Sequence, residues 1–288
     1  MDWIENDLAS HYEYYKSIIK ELTLMSDAFM RNVLKDPACA EYVLQVILEK
    51  KNLKVVDVVV QQDNKNLQGR SAVLDCVVQD EDGELFDVEV QQENEGASPQ
   101  RARYHSGLLD MNTLNPGDHF DRLAESYVIF ITRDDVLGKG LPIYHIERII
   151  TETGDGFGDR SHIIYVNASI QDATELGQLM RDFHCKNADE MHSEVLADRV
   201  RALKETQGGV ESMCREMEQI YQRGESRGIE RGRVEGRKEG RAEGRVEQAK
   251  ETALNLAAMG LSAEQIANAV KTSIQLVQEW LNGSTAEV

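Results

Sequence analysis

Residues 73–91 read V-L-D-C-V-V-Q-D-E-D-G-E-L-F-D-V-E-V-Q, two β-branched runs joined by an acidic turn that carries one glycine. A β-hairpin is the structure this pattern favours. Alternation with a period of two puts Asp87, Glu89 and Gln91 on one face of the second strand and turns Phe86, Val88 and Val90 to the other, toward a core. Asp75 falls on the first strand, within reach of Glu89 and Gln91 once the hairpin closes. It interrupts the apolar run S-A-V-L-D-C-V-V, where a carboxylate needs a partner or a metal. Carboxylates a few ångström apart repel and raise each other's pKa, unless a hard divalent cation with oxygen ligands lies among them. Mg²⁺ held by one or two carboxylates, with several waters retained, is the arrangement that phosphoryl-transfer sites use.

Other segments accompany the hairpin in a fixed order. Asp27-Ala28-Phe29-Met30 opens a helical region, and Leu44 to Leu48 belong to a leucine-rich helix after it. Downstream come Arg101 and Tyr104 in an R-x-x-Y helix, then Tyr127 to Thr132 and a G-K-G-L-P turn at 138–142. In this order they resemble the PD-(D/E)XK nuclease fold and, in detail, the recombination-promoting, transposase-like nuclease family, over roughly residues 20–165. The resemblance assigns Asp75 as the first metal aspartate, with Leu74 where the motif has Pro, and Glu89-Val90-Gln91 as an E-x-Q form of the third motif. Met30 stands where the family has Lys. What the resemblance implies is an α/β mixed sheet flanked by helices, Mg²⁺ as cofactor with Mn²⁺ as the alternative, and catalytic Asp75, Glu89 and Gln91. Asp75 and Glu89 would be the metal ligands. Asp27, Glu41 and Asp87 are additional candidate carboxylates. The fold's usual Lys supplies charge that Gln91 lacks; an amide can orient a water, so the electrostatic role passes to the metal and to cations such as Arg101.

A net charge of −19 argues against a passive nucleic-acid coat. The basic residues cluster, however. Lys50, Lys51, Lys54, Lys65 and Arg70 face only Asp57 and Asp63 within 50–70. Together with Arg101, Arg103 and Tyr104 they are the expected contacts to DNA phosphates. No apolar run approaches the roughly 20 residues that span a bilayer, so no membrane partner is expected. The four cysteines form no C-x-x-C pair, and the start M-D-W-I-E-N-D has no basic and apolar signal, so a soluble, cytoplasmic protein is expected.

Residues 3–50 read as helical, with Asp36-Pro37 opening one helix. Strands are predicted at 54–61, 71–79, 85–91, 126–132, 143–149 and 162–167, and a helix at 99–112 capped by Ser98. Beyond a polar helical stretch, glycine recurs at 224, 228, 232, 236, 240 and 244. Each glycine costs a helix about 1 kcal/mol relative to Ala. Charges follow the same period: Arg223, Arg227 and Arg231, then Glu235, Glu239, Glu243 and Glu247. Neighbours along one helix are mostly alike, whereas an antiparallel copy would set Arg223 against Glu247 and Arg227 against Glu243. Residues 247–288 read as three short helices with G-L-S-A-E-Q-I-A helix-turn-helix spacing, yet S-I-Q-L-V-Q-E-W-L has no Lys or Arg to read bases. The expected domains are therefore 1–200, nuclease-like; 201–246, a charged glycine-spaced helix; and 247–288, a helix-turn-helix-like segment. A homo-oligomer through 222–288 is expected.

Two functions fit these residues. One is a metal-dependent DNA endonuclease whose cuts promote recombination or act in DNA defence. The other is a catalytically idle nuclease fold that serves as an oligomeric protein-interaction module.

Overall fold

The computed structural model describes residues 2–64, 72–111, 113–114 and 117–284. Three helices open the chain: α1 (Asp2–Glu21), α2 (Asp27–Leu34) and α3 (Pro37–Leu48). Asp36 caps α3 by accepting from the Ala38 N–H at 3.0 Å, with Pro37 at the first helical position, where a missing N–H costs nothing. Next come β1 (Val55–Asn64), β2 (Ala72–Asp80), β3 (Leu85–Gln91), α4 (Pro99–Met111), β4 (Ser126–Thr132), β5 (Ile143–Ile146) and β6 (Ser161–Asn167). The Ser98 hydroxyl accepts from the Arg101 N–H at 3.3 Å at the start of α4.

The six strands form one sheet in the order β1-β2-β3-β4-β6-β5. Pairings β1/β2, β2/β3 and β5/β6 are antiparallel, while β3/β4 and β4/β6 are parallel. It is a mixed sheet flanked by helices, as the resemblance implies. The antiparallel turn between β2 and β3 places Gly83 at φ +80°, which a residue without Cβ adopts without strain. α4 is the crossover that parallel pairing of β3 with β4 requires. It covers one face, where Ala102, Leu108 and Leu109 pack with Val77, Val128, Phe130 and Tyr165. The helices α2 and α3 cover the other face. β4, S-Y-V-I-F-I-T, is therefore buried along its whole length and reads as a continuous apolar run. The same burial falls on β3. Its polar face is not a solvated face of a hairpin: Asp87 and Glu89 are fully buried, because α4 lies over them. The strand predicted at 143–149 ends at Ile146, as the edge strand parts from β6 beyond the Ile146–Ile163 pair.

The remaining helices are α5 (Glu175–His184), α6 (Glu194–Glu205), α7 (Gln207–Ala258), α8 (Ala263–Val270) and α9 (Ile274–Ser284). In α6 the buried stem of Lys204 brings its ammonium to the carbonyls of Leu22 at 2.5 Å and Lys186 at 2.6 Å. Two compact units emerge, Met1–Glu216 and Met217–Val288. α7 runs unbroken through the boundary expected at 246/247. In the second unit, Ile266, Ala267 and Val277 pack on Ala253 with Leu256, Trp280 and Leu281 around them. Ser262 and Gln265 form a reciprocal capping box at the start of α8. Among the described residues no helix is long and apolar enough to cross a membrane.

Candidate active site

Antiparallel pairing of β2 with β3 sets Val77 opposite Asp87, and two residues further along each strand Asp75 meets Glu89. The Asp75 N–H donates to Glu89 Oε1 at 2.9 Å. Asp75 keeps 14 % of its side chain exposed and Glu89 none. Gln91, at the end of β3, lies half-buried with its amide 3.4 Å from Glu89 Oε2. The three residues expected to carry the chemistry are thus brought together. The carboxylates of this cluster are mostly buried, since both faces of β3 are covered.

Two helices supply the cations. From α2, Arg31 lies 3.4 Å from Asp75 Oδ1 and pairs with Asp27 one turn earlier. From α4, Arg101 makes four directed contacts: Nη2 to Glu89 Oε2 at 3.1 Å, Nη1 to the Gly96 carbonyl at 3.0 Å and to Gln91 Oε1 at 3.5 Å, and Nε to His105 Nε2 at 3.2 Å. His105 Nδ1 is 2.9 Å from Asp87 Oδ2. Arg31 and His105 were not singled out from the sequence. Each lies four residues beyond a residue that was, Asp27 and Arg101, so one helical turn was the signal that could have found them.

Burial dominates the electrostatics. Desolvation, then repulsion by Glu89 and Asp27, pushes the Asp75 carboxyl up to about 8, against the opposing pull of Arg31. Desolvation and Asp87 push Glu89 up to about 7. Asp87 is raised well above the usual carboxylate range, chiefly by desolvation. Such a cluster favours a compensating cation. A cleft of about 430 Å³ opens beside it, lined by Met25, Asp27, Asp75, Gln91, Gln92 and Arg101. Asp75 and Glu89 offer hard oxygens of the kind Mg²⁺ and Mn²⁺ take, and these residues fit such an ion. Asp87, Glu89 and His105 also bring one ligand atom each within 4.8 Å of one another. Arg101 can only donate, so His105 Nε2 must accept and Nδ1 must carry the proton toward Asp87. That leaves the imidazole no free lone pair for a metal.

The other expected residues divide. Asp27 lines the cleft. Glu41 does not join it: this carboxylate accepts from Lys54 at 2.6 Å and from the Val55 N–H at 3.1 Å, tying α3 to the start of β1. Arg103 and Tyr104 are exposed on α4, and Arg103 is about 200° round the helix from Arg101. Of the basic cluster, Lys50 pairs with Glu84 at 2.7 Å, Lys51 with Glu175 at 3.7 Å and Lys54 with Glu41, so these ammoniums are committed within the chain. Lys65 and Arg70 lie outside the described residues.

Comparison with known proteins fits this geometry. Residues 43–178 match the family model described as PD-(D/E)XK nuclease family transposase, a segment holding β1 to β6, α4 and the Asp75, Glu89 and Gln91 cluster. Neither the curated proteins nor the solved structures contain a match to the chain.

Proposed function

We propose that this chain is a metal-dependent DNA endonuclease that hydrolyses phosphodiester bonds, its cuts serving recombination or DNA defence. The observation that carries the reading is the pairing of Asp75 with Glu89 on adjacent strands, buried, mutually repelling and open to a cleft on the Asp75 side, within a segment that matches a nuclease and transposase family. Mg²⁺, or Mn²⁺, bound by Asp75 and Glu89 would supply an activated water and neutralise charge that develops on the phosphate. Gln91 orients water or phosphate through its amide and adds no charge. Arg101 supplies the positive charge at that end of β3, and Asp27 shapes the cleft wall. Arg103, Tyr104 and Arg70 serve as contacts to the DNA backbone. We take residues 1–200 as the catalytic domain, acting in the cytoplasm, and residues 222–288 as the self-association region.

The test is plasmid cleavage by purified full-length protein with Mg²⁺ or with chelator. Wild type should nick or linearise plasmid only with the metal, and Asp75→Ala and Glu89→Ala should abolish cutting while the circular dichroism spectrum stays native. Equal cutting by all three proteins would point to a contaminant, and no cutting by any would favour the idle interaction module.

A further inference from the structure

Asp87 lies at the middle of β3, fully buried beneath α4, where an apolar side chain would be easier to accommodate. Its Oδ1 has no hydrogen-bond partner, while Oδ2 takes the Nδ1 proton of His105. His105 is equally enclosed, its ring 5.7 Å from that of Phe130. A buried, incompletely satisfied carboxylate is destabilising for a fold, so its partner identifies what it contributes.

The hydrogen-bond directions leave one arrangement. Arg101 Nε–H donates to His105 Nε2, so the imidazole must present a lone pair there. Asp87 Oδ2 takes the opposite N–H and so holds the ring in that tautomer and orientation. The order Asp87, His105, Arg101 then runs from the buried middle of β3 to the cleft. An arginine side chain on a helix surface has many rotamers. Here the guanidinium is anchored at four points: His105, the Gly96 carbonyl, Glu89 and, at 3.5 Å, the Gln91 amide oxygen. Arg101 also lines the cleft beside Gln91, which is neutral.

We infer that Asp87 and His105 are positioning residues that hold the guanidinium of Arg101 in place as the fixed positive charge of the site, the role for which Gln91 is unsuited. The inference rests on the endonuclease reading for its kinetic consequence and on geometry alone for its structural one. Neither residue touches substrate; both act through Arg101.

Two measurements on full-length protein test it. The first follows the ¹⁵Nε–H signal of Arg101, identified by its loss in Arg101→Lys. Protection of this proton from solvent exchange is expected in wild type, loss of it in His105→Leu, and recovery in His105→Gln, whose amide can accept from Arg101 and donate to Asp87. The second is cleavage kinetics. Removing a preorganised donor at a reaction centre lowers kcat on the order of 100-fold, so His105→Leu should lower kcat by about that factor, with KM for plasmid and Mn²⁺ affinity within about twofold of wild type. On an Arg101→Ala background His105→Leu should have no further effect. If His105→Leu fails to fold, Asp87→Asn replaces it. That change keeps size and lets an amide N–H turn the imidazole to the wrong tautomer, so protection and kcat should both fall. Full protection in a folded His105→Leu, or an equal loss of kcat on both backgrounds, overturns the inference. Wild type that does not cut DNA defeats the endonuclease reading instead, and the exchange measurement then decides this one.

Discussion

Replacing Glu89 by Gln should make the metal-free protein more stable at alkaline pH while removing its proposed activity. Glu89 has its proton affinity raised from 4.5 to about 7, and Asp75 from 3.8 to about 8. A carboxyl whose folded pKa lies above its unfolded value binds protons more tightly in the fold. Its contribution is complete below about pH 4 and is lost as pH rises toward 8. At about 1.4 kcal/mol per tenfold change in proton affinity, Glu89 alone corresponds to about 3 kcal/mol. Asp75 shares the same repulsion, so its share is not added in full. For a unit of about 200 residues, 3 kcal/mol is about 6–12 °C in Tm. Thermal melts of wild type in chelator, from pH 5 to pH 8.5, should therefore fall by about that much more than melts of Glu89→Gln. Adding Mn²⁺ at pH 8.5 should recover most of the difference for wild type and little of it for the variant. Comparing the two proteins removes the general effect of an acidic chain, which both share. Parallel pH profiles would refute the reasoning, because they would mean that the buried pair is compensated within the protein.

Three further outcomes are expected. A Cβ added at Gly96 would lie 2.0 Å from Gln91 Oε1, so Gly96→Ala should displace that amide and lower kcat about as far as Gln91→Ala does, which steady-state cleavage assays would show; wild-type kcat in either variant removes the role given to Gln91. Gln91→Lys should keep metal binding, measured by titration calorimetry. Deleting residues 222–288 should convert an oligomer to a monomer by light scattering without unfolding the first unit; changing Arg223, Arg227 and Arg231 to Glu should weaken association, and also changing Glu239, Glu243 and Glu247 to Arg should restore it, whereas a monomeric wild type at micromolar concentration ends the idea.

The hairpin and its pairing were legible because period two is a backbone property: it fixes which residues share a face whatever covers them. What covers that face is a tertiary matter. The burial of Glu89 and Asp87 therefore does not follow from the hairpin, although the uninterrupted apolar run of β4 already signals a strand buried on both faces. Caps were legible from single residues, as at Asp36 and Ser98. The cations were not. Lys50, Lys51 and Lys54 looked free in sequence because Glu84, Glu175 and Glu41 reach them only through the fold. Arg31 and His105 each join the cluster through contacts between elements far apart in the chain, and their local sign is a weak one, a spacing of one helical turn from Asp27 and Arg101.

The glycines of α7 bear on how that helix behaves over time. At Gly224, Gly228, Gly232, Gly236, Gly240 and Gly244 an added Cβ would meet nothing within 4 Å, so packing within the chain does not call for them. At about 1 kcal/mol each relative to Ala, together they weaken the helix by an amount comparable to the stability of a small domain. Backbone amides from 224 to 244 should accordingly exchange with solvent well before those of β3 and β4. In free protein this stretch should be the first that a protease cleaves, and alanine at the six positions should slow both processes.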